Sequence, residues 1–179
     1  MAPPDRRVIY QGVKVDLALQ RVRLADGSVR DREVVVHRGA VALVPMVDPD
    51  HVCLLRNFRY SVGETLIEIP AGTIDPGDSP DDTAPRELAE ETGYRAGRIT
   101  RVTEWWVSPG VFTERMFLYL CEDLTPGPTD HQPDEQLQPF VVAWDEAVAM
   151  VLDGRIRDAK TMTALLLVDR MRRGPQDAM

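Results

Sequence analysis

Three glutamates, Glu87, Glu90 and Glu91, stand at i, i+3 and i+4 in the stretch GTIDPGDSPDDTAPRELAEETGY between Gly72 and Tyr94. On an α-helix this spacing projects all three carboxylates from one stripe. Two unit charges about 5 Å apart cost roughly 3 kcal/mol at an effective protein dielectric, so a stripe built only for helix stability would interleave lysines. A bound cation relieves the repulsion. The stretch offers no histidine or cysteine, and an all-oxygen donor set suits a hard divalent ion. Mg2+ in particular binds through one or two carboxylates and shares its shell with water and substrate phosphates. The chemistry implied is that of a phosphate compound.

A helix must hold these groups. Ser79-Pro80 suits N-cap and N1, with Asp82 at N3 completing a capping box. Pro85 then falls in the second turn, where it removes a backbone hydrogen bond, so the regular helix is expected from Thr83 or Ala84, after a separate turn. Around the helix the chain reads as short strands. Two alternating segments between Val13 and His37 flank Asp26-Gly27, a hairpin signal. GAVALVPMV and HVCLLRNFRY flank Asp48-Pro49-Asp50, ETLIEIP leads into the glycine loop, and RITRVTEWWVSP and ERMFLYLCEDL surround Ser108-Pro109-Gly110. Residues 125–139, rich in proline and polar side chains, read as an exposed loop. QPFVVAW follows as a strand. Then come a helix with Ala147, Val148, Val151 and Leu152 inward, ending at Gly154, and another over residues 158–172 with Met162, Leu165, Leu166 and Met171 inward.

The 179 residues suffice for one catalytic domain with a small appended element. The clearest join lies near Gly39, dividing an N-terminal β-strand element, residues 1–38, from a catalytic domain, residues 39–179. A net charge of −8 argues against affinity for long nucleic acid. No apolar run nears the roughly 18 residues of a membrane helix, and the N-terminus lacks a secretory h-region, so a cytoplasmic location is expected. Cys53 and Cys121 lie in apolar runs and read as free core thiols. His37, His51 and His131 have no ligand spacing and read as structural or surface residues.

The pattern of Gly72, an acid six residues on at Asp78, then Arg86-Glu87-Leu88-x-Glu90-Glu91-x-Gly93 resembles the Nudix box of enzymes that hydrolyse nucleoside diphosphates linked to another group. Asp78 stands where that family usually has Glu, and Tyr94 where it usually has an aliphatic residue. Arg56, Arg59, Glu68, Pro70, Ala71 and Gly72, followed by WWVSPGVFTE with Pro109 sixteen residues after Gly93, are similar to ADP-ribose pyrophosphatases and their relatives. The resemblance implies an α+β fold, an α/β/α sandwich around a mixed sheet, with the N-terminal antiparallel strands forming a homodimer.

It also implies residue roles. The carbonyl of Ala71 would join Glu87, Glu90 and Glu91 at Mg2+, with Mn2+ as a substitute, and Arg86 would orient Glu90. Arg59 would contact phosphate, Gly110 and Glu114 would approach the terminal ribose, and Arg32 would reach a partner subunit's site. Glu135, or its neighbour Asp134, would be the general base on a closing loop. Tyr10 or a partner's strand would clamp adenine. Trp105 and Trp106 are alternatives, and since neighbours on a strand face opposite ways at most one is expected to line the site. The expected reaction is hydrolysis of ADP-ribose to AMP and ribose 5-phosphate. Other expectations are a GDP-mannose or related sugar-nucleotide pyrophosphatase, or a non-catalytic ADP-ribose sensor; retention of all three glutamates speaks against the sensor.

Overall fold

Ala40–Asp48 (β4) and His51–Arg59 (β5) are the most apolar strands, and β4 explains the architecture. Its alternate side chains enter two different cores, because strand neighbours face opposite ways. Ala40, Ala42, Val44 and Met46 join Leu54, Ile69, Leu118, Trp144, Ala147 and Leu165 on one face. Val41 and Leu43 join Ile74, Ala84, Leu88, Phe117, Tyr119 and Cys121 on the other. A strand buried on both faces must lie inside a sheet covered on both sides. Helix α1 (Pro80–Thr92) supplies one layer; α2 (Trp144–Leu152) and α3 (Ala159–Arg173) supply the other.

The computed structural model describes residues 5–129 and 136–174. The central sheet runs β10 (Leu137–Ala143), β5, β4, β9 (Arg115–Pro126), β8 (Tyr94–Trp106), with β6 (Glu64–Glu68) paired to β5 and β7 (Ala71–Thr73) paired to β4. It is mixed, since β4 and β9 run parallel while the other pairs are antiparallel. A separate antiparallel sheet holds β1 (Arg6–Gln11), β2 (Asp16–Arg23) and β3 (Val29–Val36). The α+β sandwich with an added N-terminal sheet is as the sequence suggests, except that β1 was not foreseen. Cys53 and Cys121 are free and buried, and burial pushes both thiols up to about 12, which leaves them unreactive near neutral pH.

Three local expectations are corrected. Helix α1 starts at Pro80, not at Thr83 or Ala84, and carries Pro85 inside it. The capping box explains this: the Ser79 hydroxyl accepts from the Asp82 N–H at 3.2 Å and Asp82 accepts from the Ser79 N–H at 3.3 Å, while the Tyr119 hydroxyl donates to Asp81 at 2.5 Å. A first turn so secured offsets the one bond lost at Pro85. In α2, Leu152 is exposed rather than inward. In α3 the buried arc is Thr161, Ala164, Leu165 and Val168, and Leu166 and Met171 face solvent. Small residues on that arc let the helix approach the sheet closely enough for the Ile69 N–H to donate to Thr161 Oγ1 at 2.9 Å.

Candidate active site

Strand β7 pairs with β4 in the register Val41↔Gly72 and Ala42↔Ala71, which lays the Ala71-Gly72 backbone against the acidic stripe of α1. The Ala71 N–H donates to Glu91 Oε2 at 2.9 Å. A Cβ on Gly72 would lie 1.9 Å from the Glu87 carboxyl carbon, so the glycine leaves room that the carboxylate fills. Glu87 and Glu91 are both largely buried. Arg86 closes the cluster from outside: its guanidinium reaches Glu87 at 2.9 Å, Glu90 at 3.1 Å and Asp75 at 3.2 Å. Asp75, rather than Asp78, is therefore the loop acid in contact with the arginine, a pairing across eleven positions that no local spacing rule signals.

These groups line a chamber of about 750 Å³ that also takes in Arg38, Arg59, Lys14 and Tyr60. Arg59, Ser61, Ala71, Gly72 and Thr73 are shared with a second chamber of about 640 Å³. Its wall is Leu66, Trp105, Trp106 and Met116, and its polar groups include Glu68, Glu114, Asp158 and Lys160. The two chambers adjoin across the five shared residues, one carrying the three glutamates among several cations and the other an apolar wall with a few charges. Both tryptophans border the latter, contrary to the expectation of at most one, because β8 ends there at Trp106. Trp105 packs on the core behind it and Trp106 stays exposed.

Arg59 is set by Glu68, which receives Nε at 2.8 Å and Nη2 at 2.5 Å in a bidentate fork. Lys160 Nζ donates to the same carboxylate at 2.6 Å and to Asp158 at 3.0 Å. Burial alone raises the Glu68 pKa, but Arg59 and Lys160 outweigh it and hold the carboxyl below the usual range. Glu68 is thus a buried anion holding two cations against the cleft. Lys160, in the first turn of α3, and Asp158, its N-cap, escaped sequence reasoning, since no motif marks them. Burial pushes Glu114 upward, against the opposing pull of Lys160 and Arg59.

Some expected residues lie elsewhere. Arg32 is exposed on β3 and borders neither chamber. Gly110 lies in the exposed turn after β8 and lines neither chamber. Glu135 and Asp134 fall outside the described residues.

The donor set fits a hard divalent ion: carboxylate oxygens, with the backbone of Ala71 alongside and a cradle at Gly72 that any Cβ would fill. Among the described residues no group of three or more His, Cys, Asp or Glu side chains is gathered as a ready-made metal cage. Gly72→Ala is expected to displace the Glu87 carboxylate and weaken Mn2+ binding roughly 10–100-fold, measurable by titration, with circular dichroism near that of the wild type.

Comparison with known proteins gives the class. The NUDIX domain model matches residues 36–165, and the chain belongs to the Nudix family. An ADP-ribose pyrophosphatase of Bacillus subtilis (strain 168) is 35% identical over 88% of this chain and 86% of its own length. A GDP-mannose pyrophosphatase of Klebsiella pneumoniae is 33% identical over 79% of this chain and 77% of its own length. A solved structure described as an ADP compounds hydrolase superposes with a TM-score of 0.82 over 99% of this chain and 98% of that one, at 24% identity, which establishes the shared fold.

Proposed function

We propose that the protein hydrolyses the diphosphate of ADP-ribose to AMP and ribose 5-phosphate with Mg2+. The observation that carries this is that the chamber of Glu87, Glu90 and Glu91 and the chamber of Trp105 and Glu114 share Arg59, Ala71 and Gly72 as a common border. A diphosphate lying over Arg59 would place one end among the acids and the other against the apolar wall. Glu87, Glu90, Glu91 and the Ala71 carbonyl would hold the ion, with Arg86 fixing the Glu90 carboxylate. When bound, the ion neutralises charge developing on phosphorus and lowers the pKa of a coordinated water. Arg59, held by Glu68, offers its remaining donors to a phosphate oxygen. Glu114 accepts from hydroxyls of the terminal ribose, near Gly110, and Glu135 or Asp134 takes the proton of the attacking water. The identity to ADP-ribose pyrophosphatase supports the substrate.

The N-terminal element, residues 1–38, would form a homodimer on the catalytic domain, residues 39–179. Val8, Ile9 and Tyr10 on β1 and Val13 beyond it are more than half exposed, an apolar surface that suits a second copy. There Arg32 would reach the partner's cleft and Tyr10 its adenine. No described helix is long and apolar enough to cross a membrane, and we place the protein in the cytoplasm. A second reading, GDP-mannose or another sugar nucleotide as substrate, is favoured by the Klebsiella relative.

Incubation with ADP-ribose, GDP-mannose and NADH, with and without Mg2+, and mass-spectrometric identification of products tests the proposal. Mg2+-dependent AMP and ribose 5-phosphate, with the highest kcat/KM for ADP-ribose, are expected. A higher kcat/KM for GDP-mannose establishes the second reading instead, and binding of ADP-ribose without products overturns both.

A further inference from the structure

We propose that His37 is a positioning residue that sets the Glu114 carboxylate for the sugar end of the substrate, an inference that rests on the reading of Glu114 given above. The loop carrying Glu114 is sewn to the chain at Val35 and at His37. The Val35 N–H donates to the Val111 carbonyl at 2.8 Å and the Thr113 N–H to the Val35 carbonyl at 3.0 Å. The His37 N–H donates to Thr113 Oγ1 at 2.9 Å, and that hydroxyl donates to the His37 carbonyl at 3.3 Å. The ring itself is largely buried, edge-on to Phe112 at 5.5 Å between centroids.

Its nitrogens are assigned by their partners. Nδ1 accepts from the Gly39 N–H at 3.0 Å, so the ring proton resides on Nε2. Gly39 has φ +103°, and a Cβ there would lie 3.1 Å from the Arg115 carbonyl oxygen, so the turn that presents this N–H requires glycine. Nδ1 is 3.7 Å from Glu114 Oε1, beyond hydrogen-bond reach. Burial, with Arg38 and Lys14 nearby, favours the neutral ring. A neutral ring with its acceptor already engaged cannot capture the carboxylate as an ion pair. It stands as a wall beside Glu114 instead, without bonding it, and Arg59 and Lys160 are the cations that act on the carboxylate.

Asparagine at position 37 can present Oδ1 to the N–H two residues on, as in an Asx-turn, and so keeps the turn while deleting the wall. His37→Asn, Glu114→Gln and the double variant are compared by kcat, KM for ADP-ribose and Tm. Each single change is expected to raise KM about 3–10-fold, more than it lowers kcat, and the double variant to be no worse than Glu114→Gln, since the ring acts through that carboxylate. Glu114→Gln without a KM effect overturns the Glu114 reading and this inference with it. A KM effect in Glu114→Gln with His37→Asn silent or additive overturns the inference alone. Should His37→Asn fail to fold, Phe112→Leu removes the ring's edge-on support. A KM shift that disappears in the Glu114→Gln background supports the inference, and an additive shift overturns it.

Discussion

Glu91→Gln is expected to lower kcat at least 10²–10³-fold, the scale seen when one preorganised electrostatic group is removed from a transition state, while the protein stays folded. Glu91 is 5% exposed and accepts the Ala71 N–H at 2.9 Å. The glutamine amide keeps the side-chain volume and an oxygen that still accepts this bond, so the packing of α1 against β7 survives. What disappears is the negative charge. A hard divalent ion takes carboxylates over neutral amides when it must also bind phosphate, so the variant loses metal affinity with kcat. Steady-state kinetics over a Mg2+ series, beside a thermal melt, checks this; near-normal turnover at low Mg2+ removes Glu91 from the metal site.

Glu68→Gln is expected to cost stability as well as activity. The carboxylate is 1% exposed and serves Arg59 and Lys160 together. Breaking a fully buried pair costs about 3–5 kcal/mol. Here Arg59 is 41% exposed and Lys160 keeps Asp158, so about 2–3 kcal/mol is expected, read from chemical denaturation. KM should rise because Arg59 loses its fixed fork. The pH dependence follows from the depressed Glu68 pKa. A carboxyl lowered in the folded state binds fewer protons there than when unfolded, so its contribution is complete above the unfolded value of about 4.3. It is lost as pH falls through the lower folded value. Wild type should therefore lose stability more steeply than Glu68→Gln below about pH 4; parallel curves would mean the carboxylate is not held by its partners.

The acidic end of the site was legible because its geometry is local. Glu87, Glu90 and Glu91 lie within five residues on one helix, where spacing fixes direction, and Arg86 meets Glu90 at i+4. The strand at β4 was likewise marked by its apolar run, whereas its burial on both faces emerged only with the fold. The cleft's other end was not legible. Lys160 meets Glu68 across 92 positions, and no periodicity carries such a pairing. The inward face of α3 was misread because hydrophobicity pointed to Leu166 and Met171, whereas close approach selected Thr161 and Ala164. The contact of His37 with Thr113 was hidden for a similar reason, since it spans 76 positions.

Crystals soaked in Mn2+ and a non-hydrolysable ADP-ribose analogue, with anomalous data collected at the manganese edge, put the acidic chamber to the most direct test. The expected result is manganese between Glu87, Glu91 and the Ala71 carbonyl, with the analogue's diphosphate spanning from the ion to Arg59. Full analogue density elsewhere, with no anomalous peak among these carboxylates, would contradict it.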